Sequence, residues 1–273
     1  MLINDEKLHA VETAEQELLP GVMIRHVRYR RTDGSEFAAS AVIAEASAVR
    51  LISGTAGGGY ELMDSVDFVP EQMRSAILGG AAVVAGINAG YFRRKYHFTP
   101  YGLSIQKGVE IAPPHSEPKV TVSGGIELGT LWLGTTPDGT LLFGSEEDYP
   151  PYRGKLDYAI SFSHYLVQNG ACCLAPGQGD VSHEPRSAFG ITGSGALVLL
   201  AIDGRQAGHS TGADNCETAQ VLLDLDVVTG VNLDGGGSTN LSVCDKYGQI
   251  TTINRPCENR KVFDTILLAL RQG

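Results

Sequence analysis

The stretch VNLDGGGSTNL (Val231–Leu241) sets an acid, three consecutive glycines, two hydroxyls and an amide directly behind a short apolar run. Glycine loses more conformational freedom on folding than any other residue, so the run must be needed for its bare backbone. A strand that stops in glycines lets successive N–H groups face one concavity, a nest suited to an anion. Ser238 and Thr239 add hydroxyl donors at its rim. A tight turn between strands explains three glycines alone. The flanking Asp234, Ser238 and Thr239 favour a site. GxxxxGK[ST] is absent and no GxGxxG follows a strand, so neither a P-loop nor a dinucleotide fingerprint is present.

Working outward, Gly230 closes a unit in which Asp214 stands at an N-cap and Glu217 three residues on, the capping-box spacing for a helix to about Leu225. Upstream, residues 196–202 and 158–167 read as apolar strands, and 81–87 as another. Residues 262–270 supply the closing strand. Asp33-Gly34, Lys107-Gly108 and the TPDG of Thr136–Gly139 mark hairpin turns. Residues 70–78 read as a short helix with Pro70 in its first turn. Residues 5–19 read as a loosely amphipathic helix (Leu8, Val11, Leu18, Leu19) ended by Pro20-Gly21. Hairpins outnumber helices, which predicts an α+β fold of mixed, mostly antiparallel sheets with a few packed helices in a single domain. Residues 1–80 form an N-terminal helix and hairpin region of the same globule, ahead of a functional unit over 81–273.

The bulk properties exclude several classes. The chain has 273 residues, 42% hydrophobic and 19% charged, the composition of a globular protein. Its 31 acidic and 21 basic residues give a formal net charge of −10, which argues against a nucleic-acid or anionic-membrane partner. No apolar run approaches a membrane span, and the opening residues show no h-region, so a cytoplasmic location is expected. Five cysteines without a CxxC pair support neither a disulfide framework nor a zinc site. No HExxH or DxDxDG occurs, and no metal or cofactor is expected.

The candidate site residues each have a dull reading. Arg186, in HEPRSAFGI, and Arg205, in IDGRQAGHS, flank one apolar strand. Guanidinium forks match phosphate or carboxylate, although each arginine taken singly reads as a solvated surface residue. Asp203 with Gly204 reads as a turn, Glu217 as a capping residue and Asn88 as an Asx turn. His183 and His209 lie close to the arginines and are candidate proton donors, or surface histidines. Cys216 has no histidine partner by spacing and reads as a core thiol.

The set in its order is more specific. Asn88-Ala-Gly-Tyr-Phe92, Asn169-Gly170, Arg186-Ser-Ala-Phe-Gly190, Asp203-Gly-Arg205, Gly208, Ser210-Thr-Gly212, Glu217 and Asn232 through Thr239 together resemble the phosphodiester glycosidase family over roughly residues 81–270. A member of that family removes N-acetylglucosamine from a phosphodiester link to mannose. The resemblance implies one pocket built from Asn88, Arg186, Asp203, Arg205, Glu217, Asp234, Gly235, Gly236, Gly237, Ser238 and Thr239. Catalysis would fall to Glu217, Asp234 and Asp203, with the split of roles open. Asn88, Arg186, Arg205, the three glycines, Ser238 and Thr239 would bind a small-molecule or oligosaccharide phosphodiester. The family usually carries GMT before its helix, where this chain has Gly212-Ala-Asp214. The family is also largely secreted or lysosomal. Hydrolysis of a sugar-1-phosphodiester at its glycosidic C–O bond is the expected reaction. The alternatives are a carbohydrate- or polysaccharide-binding domain on the same pocket, or a phosphodiesterase cutting P–O.

Overall fold

The computed structural model describes residues 8–56, 66–94, 98–114, 120–122, 125–175 and 178–271. Two large antiparallel sheets lie face to face, each with a helix on its outer side. In the first sheet the strand order is Leu8–Leu19, Val22–Arg31, Glu36–Ala44, Leu197–Ile202, Arg186–Thr192, Val227–Asn232, His164–Gln168 and Ala171–Cys172. The second runs Ile250–Thr252, Leu241–Cys244, Val83–Asn88, Asp264–Leu270 and Val49–Thr55.

Strand periodicity explains the layering. Successive side chains of a strand face opposite ways. Leu197, Leu199 and Ala201 therefore enter the core between the sheets, together with Ile266 and Leu268 of the second sheet. Their neighbours Val198, Leu200 and Ile202 enter the core beneath the helix Asn215–Asp224, with Ala219 and Leu222. Leu267 and Ala269 meet Val69 and Met73 of the helix Val69–Leu78 on the far side. Both faces of these strands are covered, so LVLLAI and ILLAL show no polar alternation. A third sheet, ordered Leu141–Ser145, Leu131–Thr135, Tyr158–Phe162, Ser104–Gln106 and Val109–Ala112, closes one end around Trp132.

The expected turns and the helix after Asp214 are present. Turns at Asp33-Gly34, Lys107-Gly108 and Thr136–Gly139 join paired strands. The helix from Asp214 has both capping-box bonds: Asp214 Oδ1 accepts from Glu217 N at 2.7 Å, and Glu217 Oε2 accepts from Asp214 N at 3.0 Å. All five cysteines are free thiols. Among the described residues no helix is long and apolar enough to cross a membrane.

Three corrections follow. Leu8–Leu19 is a strand paired with Val22–Arg31, not a helix; the start of the predicted segment, residues 5–7, lies outside the described residues. Its side chains are mostly exposed on both faces, so neither period was imprinted on it. Residues 158–167 are two strands in different sheets, broken at Ser163. With two ten-residue α-helices among so many strands, the label α+β fits only loosely, and the architecture is sheet-dominated.

Candidate active site

A cleft of about 420 Å³ opens where three strands of the first sheet end, Arg186–Thr192, Val227–Asn232 and His164–Gln168. Strand pairing puts His164 and Ala188 opposite Asn232, so Arg186, His164 and Asn232 reach the same edge. The chain leaves that edge at Asp234. The glycines then make one turn of 3-10 helix, Gly236–Ser238, that walls the cleft.

The opening question about the glycines has a steric answer at three positions. A Cβ on Gly235 would lie 2.6 Å from the Pro185 carbonyl oxygen. Gly236 holds a φ of +60° and lies against Arg205, whose Nη2 would be 3.2 Å from a Cβ there. A Cβ on Gly237 would overlap Arg260, and the Glu258 carboxylate would be 2.5 Å away. The run lets a turn pass between a backbone carbonyl and two arginines. Gly236 N–H is already donated to Pro185 O, 2.8 Å away, and Gly235 N–H serves the Asp234 carboxylate. The anion donors of this cleft are therefore mainly guanidiniums.

Four arginines line it: Arg94, Arg186, Arg205 and Arg260. Arg186 is buried and clamped, donating to Ala213 O at 2.8 Å, Ser182 O at 2.6 Å and Asp180 Oδ2 at 3.2 Å. Arg205 adopts a φ of +58° and pairs with Glu184 and, through Nη1 at 3.5 Å, with Glu258. Arg260 pairs with the same Glu258 at 2.6 Å and approaches Ser238 Oγ at 3.5 Å. The acids hold the guanidinium planes in place, and at the mouth they leave N–H groups turned toward solvent or ligand.

Asp234 is the carboxylate at the bottom of this arrangement. Ser238 Oγ donates to it at 2.6 Å, and its own N–H is donated to Ala89 O at 2.9 Å. Burial pushes its pKa up to about 6, against the bond from Ser238 and the charges of Arg260 and Arg94. Behind it Asp264 is 1% exposed, takes one bond from Gly90 N at 3.0 Å, and leaves Oδ2 unpartnered. Burial raises Asp264 to about 7, and the nearby Asp234 charge adds to the rise. Asp180 goes the other way. Burial opposes its ionisation, but bonds from Ser182 and the charge of Arg186 hold it below the usual carboxylate value.

Of the residues expected to share one pocket, Arg186, Arg205, Asp234, Gly235, Gly236 and Gly237 line the cleft, and Ser238 touches it through Asp234. Glu217 does not. It is held by Arg31 with Nε–Oε1 at 2.5 Å and Nη2–Oε2 at 2.7 Å, besides its capping bond. Asp203 faces a neighbouring cleft of about 310 Å³, where it meets His209 Nε2 at 2.8 Å, Asn254 Nδ2 at 3.1 Å and Arg255 N at 2.9 Å. Asn88 and Thr239 are buried scaffold. Asn88 Nδ2 donates to Asp234 O at 2.5 Å, while its Oδ1 accepts from Ser187 Oγ and Asn240 N. Thr239 Oγ1 accepts from Ser187 Oγ at 3.2 Å.

Several lining residues were not among the expected site residues: Tyr91, Arg94, His164, Asp180, Asn215 and Arg260. Tyr91 and Asn232 sit inside the motifs named above, which was the one available signal. Burial drives the Tyr91 phenol up, so it stays neutral. His183, Asp214 and Glu217 bring ligand atoms within 4.8 Å of one another. Arg31 and the helix N-terminus already use the carboxylates, so the set does not fit a metal ion.

A phosphodiester glycosidase family profile matches residues 81–269. The Bos taurus N-acetylglucosamine-1-phosphodiester alpha-N-acetylglucosaminidase is 31% identical over 137 residues, covering 44% of this chain and 25% of that protein. Its Homo sapiens counterpart is 32% identical over 139 residues, covering 45% and 26%. The aligned stretch thus spans about a quarter of these curated relatives. The zebrafish catalytic domain of the same enzyme, auto-inhibited by its pro-peptide, shares the fold with a TM-score of 0.66 at 19% identity, over 98% of this chain and 89% of that one. A hypothetical protein from Synechocystis gives 0.66 at 17% identity, over 96% and 64%. The match covers more than half of the chain and includes the loop that carries Asp234, and the protein belongs to the phosphodiester glycosidase family.

Proposed function

We propose that this protein hydrolyses the glycosidic C–O bond of a sugar-1-phosphodiester, an N-acetylglucosamine-1-phosphodiester or a close analogue. The observation that carries the reading is the pairing of one half-buried carboxylate, Asp234, with four arginines on the same cleft. Such a reaction needs an anionic group near the oxocarbenium-like sugar and cations near the departing phosphate. The leaving phosphomonoester is stable as an anion, so it departs with the bonding electron pair without a strong general acid. Arg205 and Arg260 stabilise it through charge-assisted hydrogen bonds, and Arg186 orients it. Asp234, ionised above about pH 6, faces the anomeric carbon. It acts either as the base that takes a proton from water or as the nucleophile that first bonds the sugar. Glu217 and Asp203 position the helix and the 203–212 loop around the cleft.

The test is phosphorus NMR on an N-acetylglucosamine-1-phosphodiester in ¹⁸O-water, with Asp234→Asn alongside. The reading requires free sugar carrying ¹⁸O, an unlabelled phosphomonoester, and loss of turnover in the variant. Label in the phosphate would mean P–O cleavage. Saturable binding with no turnover would mean a carbohydrate-binding protein.

A further inference from the structure

Two buried amide oxygens in the cleft have no partner, Asn215 Oδ1 and Asn232 Oδ1. Both residues are almost fully enclosed, at 1% and 2% exposure. A buried acceptor without a donor costs about as much as a lost hydrogen bond, so an orphan in a native structure demands an explanation. Two on one wall demand it more.

The Asn232 oxygen cannot be relieved by turning its amide over. Asn232 Nδ2 donates to Leu233 O and to Ser163 Oγ, both at 3.0 Å, and the carbonyl among these accepts only N–H. The Ser163 hydroxyl donates to Asn232 O at 3.2 Å, so Ser163 Oγ is an acceptor toward its other neighbours. His164 Nδ1, 2.9 Å away, carries the proton when the Ser163 hydroxyl is spent on Asn232 O. That leaves His164 Nε2 as a lone pair, 3.0 Å from Asn215 Nδ2. Asn215 therefore points its N–H at the imidazole and its Oδ1 elsewhere. Burial and the charge of Arg186 lower His164 to about 4, so the neutral ring needed for this chain persists at any ordinary pH. Two main-chain carbonyls, Leu233 O and Asn232 O, thus set the polarity of these side chains, and both amide oxygens are left as acceptors.

We propose that this wall reads the sugar: Asn215 Oδ1 and Asn232 Oδ1 each accept one N–H or O–H donor of the pyranose ring, the acetamido N–H or a ring hydroxyl. Arg186 stands beside the asparagines, whereas Arg205 and Arg260 lie against the Gly236–Gly237 turn, so the substrate lies with its sugar on the asparagines and its phosphate on Arg205 and Arg260. The orientation rests on the phosphodiester reading above, whereas the need for two donors does not. A site with buried acceptors discriminates strongly against an analogue that lacks the donor, because the orphan is then sealed in without water.

The experiment measures binding of methyl α-N-acetylglucosaminide and its single-position deoxy and N-methyl analogues to the wild-type protein by calorimetry. Inorganic phosphate serves as the control ligand, and Asn215→Leu is measured in parallel. Two positions of the series should each weaken binding on the order of 10–100-fold, and one of those penalties should vanish in Asn215→Leu while phosphate binds both proteins alike. A series with losses under about threefold throughout, penalties unchanged in the variant, or no saturable binding of the glycoside would overturn the assignment. The wild-type ligand series decides the question even if Asn215→Leu does not fold. Turnover in ¹⁸O-water with a flat series would sink this assignment alone. A two-donor series without turnover would sink the hydrolase reading and leave this one standing.

Discussion

Arg31 and Glu217 face each other in a two-bond ion pair, Nε–Oε1 at 2.5 Å and Nη2–Oε2 at 2.7 Å, across 186 positions of the chain. Arg31 also donates to Gly212 O at 2.6 Å and is only 8% exposed. The pair fastens the end of the Val22–Arg31 strand to the first turn of the helix behind the cleft. Glu217→Gln removes the charge that Arg31 needs, and a buried unpaired guanidinium is costly. We expect a loss of about 2–3 kcal/mol, since Glu217 keeps some solvent, with kcat within a few-fold of wild type at temperatures where the variant stays folded. Urea titration followed by steady-state kinetics checks this. A kcat loss of a thousandfold in a fully folded Glu217→Gln would return Glu217 to the chemistry.

Asp234 makes a pH prediction with two signs. The proposed reaction uses the ionised Asp234, so kcat/KM should fall as pH drops through about 6. Stability runs the opposite way. A carboxyl raised from 3.8 to about 6 holds its proton more tightly folded than unfolded, so its stabilising effect is complete below 3.8 and is lost as pH rises to 6. Asp234→Asn should therefore be inactive yet more stable at pH 7.5, by on the order of 2–3 kcal/mol, with the gain vanishing near pH 4. Thermal melts at pH 4 and 7.5 decide it.

Asp264 extends the same argument to a group outside the cleft. Its value of about 7 places its cost between 3.8 and 7. Asp264→Asn keeps an oxygen for the Gly90 N–H and removes the buried charge. Melting temperature should rise above pH 7 and change little below pH 4. An unchanged stability at pH 8 would show that the native Asp264 pKa is not raised above its unfolded value.

The three glycines should fail differently when given a methyl group. At Gly235 the obstacle is the Pro185 carbonyl oxygen, 2.6 Å from the new atom, and backbone cannot swing aside. At Gly237 the obstacles are the flexible ends of Arg260 and Glu258. Gly235→Ala should lower the melting temperature strongly, whereas Gly237→Ala should fold and lose kcat/KM by displacing the Arg260–Glu258 pair. Equal melting temperatures would contradict this account.

Arg205 should behave as an anion donor. Arg205→Ala is expected to lower kcat/KM on the order of 10²–10³-fold, as the loss of one oxyanion donor does. Lysine at that position should restore only a small part, because it cannot hold Glu184, Glu258 and a phosphate in one plane. Substrate-saturation kinetics of both variants provide the check.

What was legible in the chain was local. Lys107-Gly108 and Thr136–Gly139 announced hairpins because turn chemistry is decided by adjacent residues. The Asp214–Glu217 box announced a helix for the same reason. The apolar run of residues 158–167 concealed a change of sheet, since strands covered on both faces look alike whichever sheet they join. Arg186, Arg205 and the glycine loop were readable through their motif. His164, Asn215 and Arg260 were not, because each has an ordinary local setting and acquires its role only through neighbours far away in the chain. Asp203 and Asn88 belong to the same motifs but serve the scaffold, since a motif preserves what holds a site together as well as what touches the ligand.

Main-chain bonds join Asp264 O to Ala89 N and Ala89 O to Asp234 N. Apart from proline, which lacks the N–H, no residue placed at those three positions loses either donor or acceptor. The Asp234 carboxylate therefore inherits its place from the backbone at the seam of the two sheets. The arginines and acids of residues 203–212 and 253–260, by contrast, stand on the rim. Substitutions on the rim should therefore change which ligand the cleft accepts, while the position of Asp234 stays tied to main-chain bonds that side-chain changes leave in place.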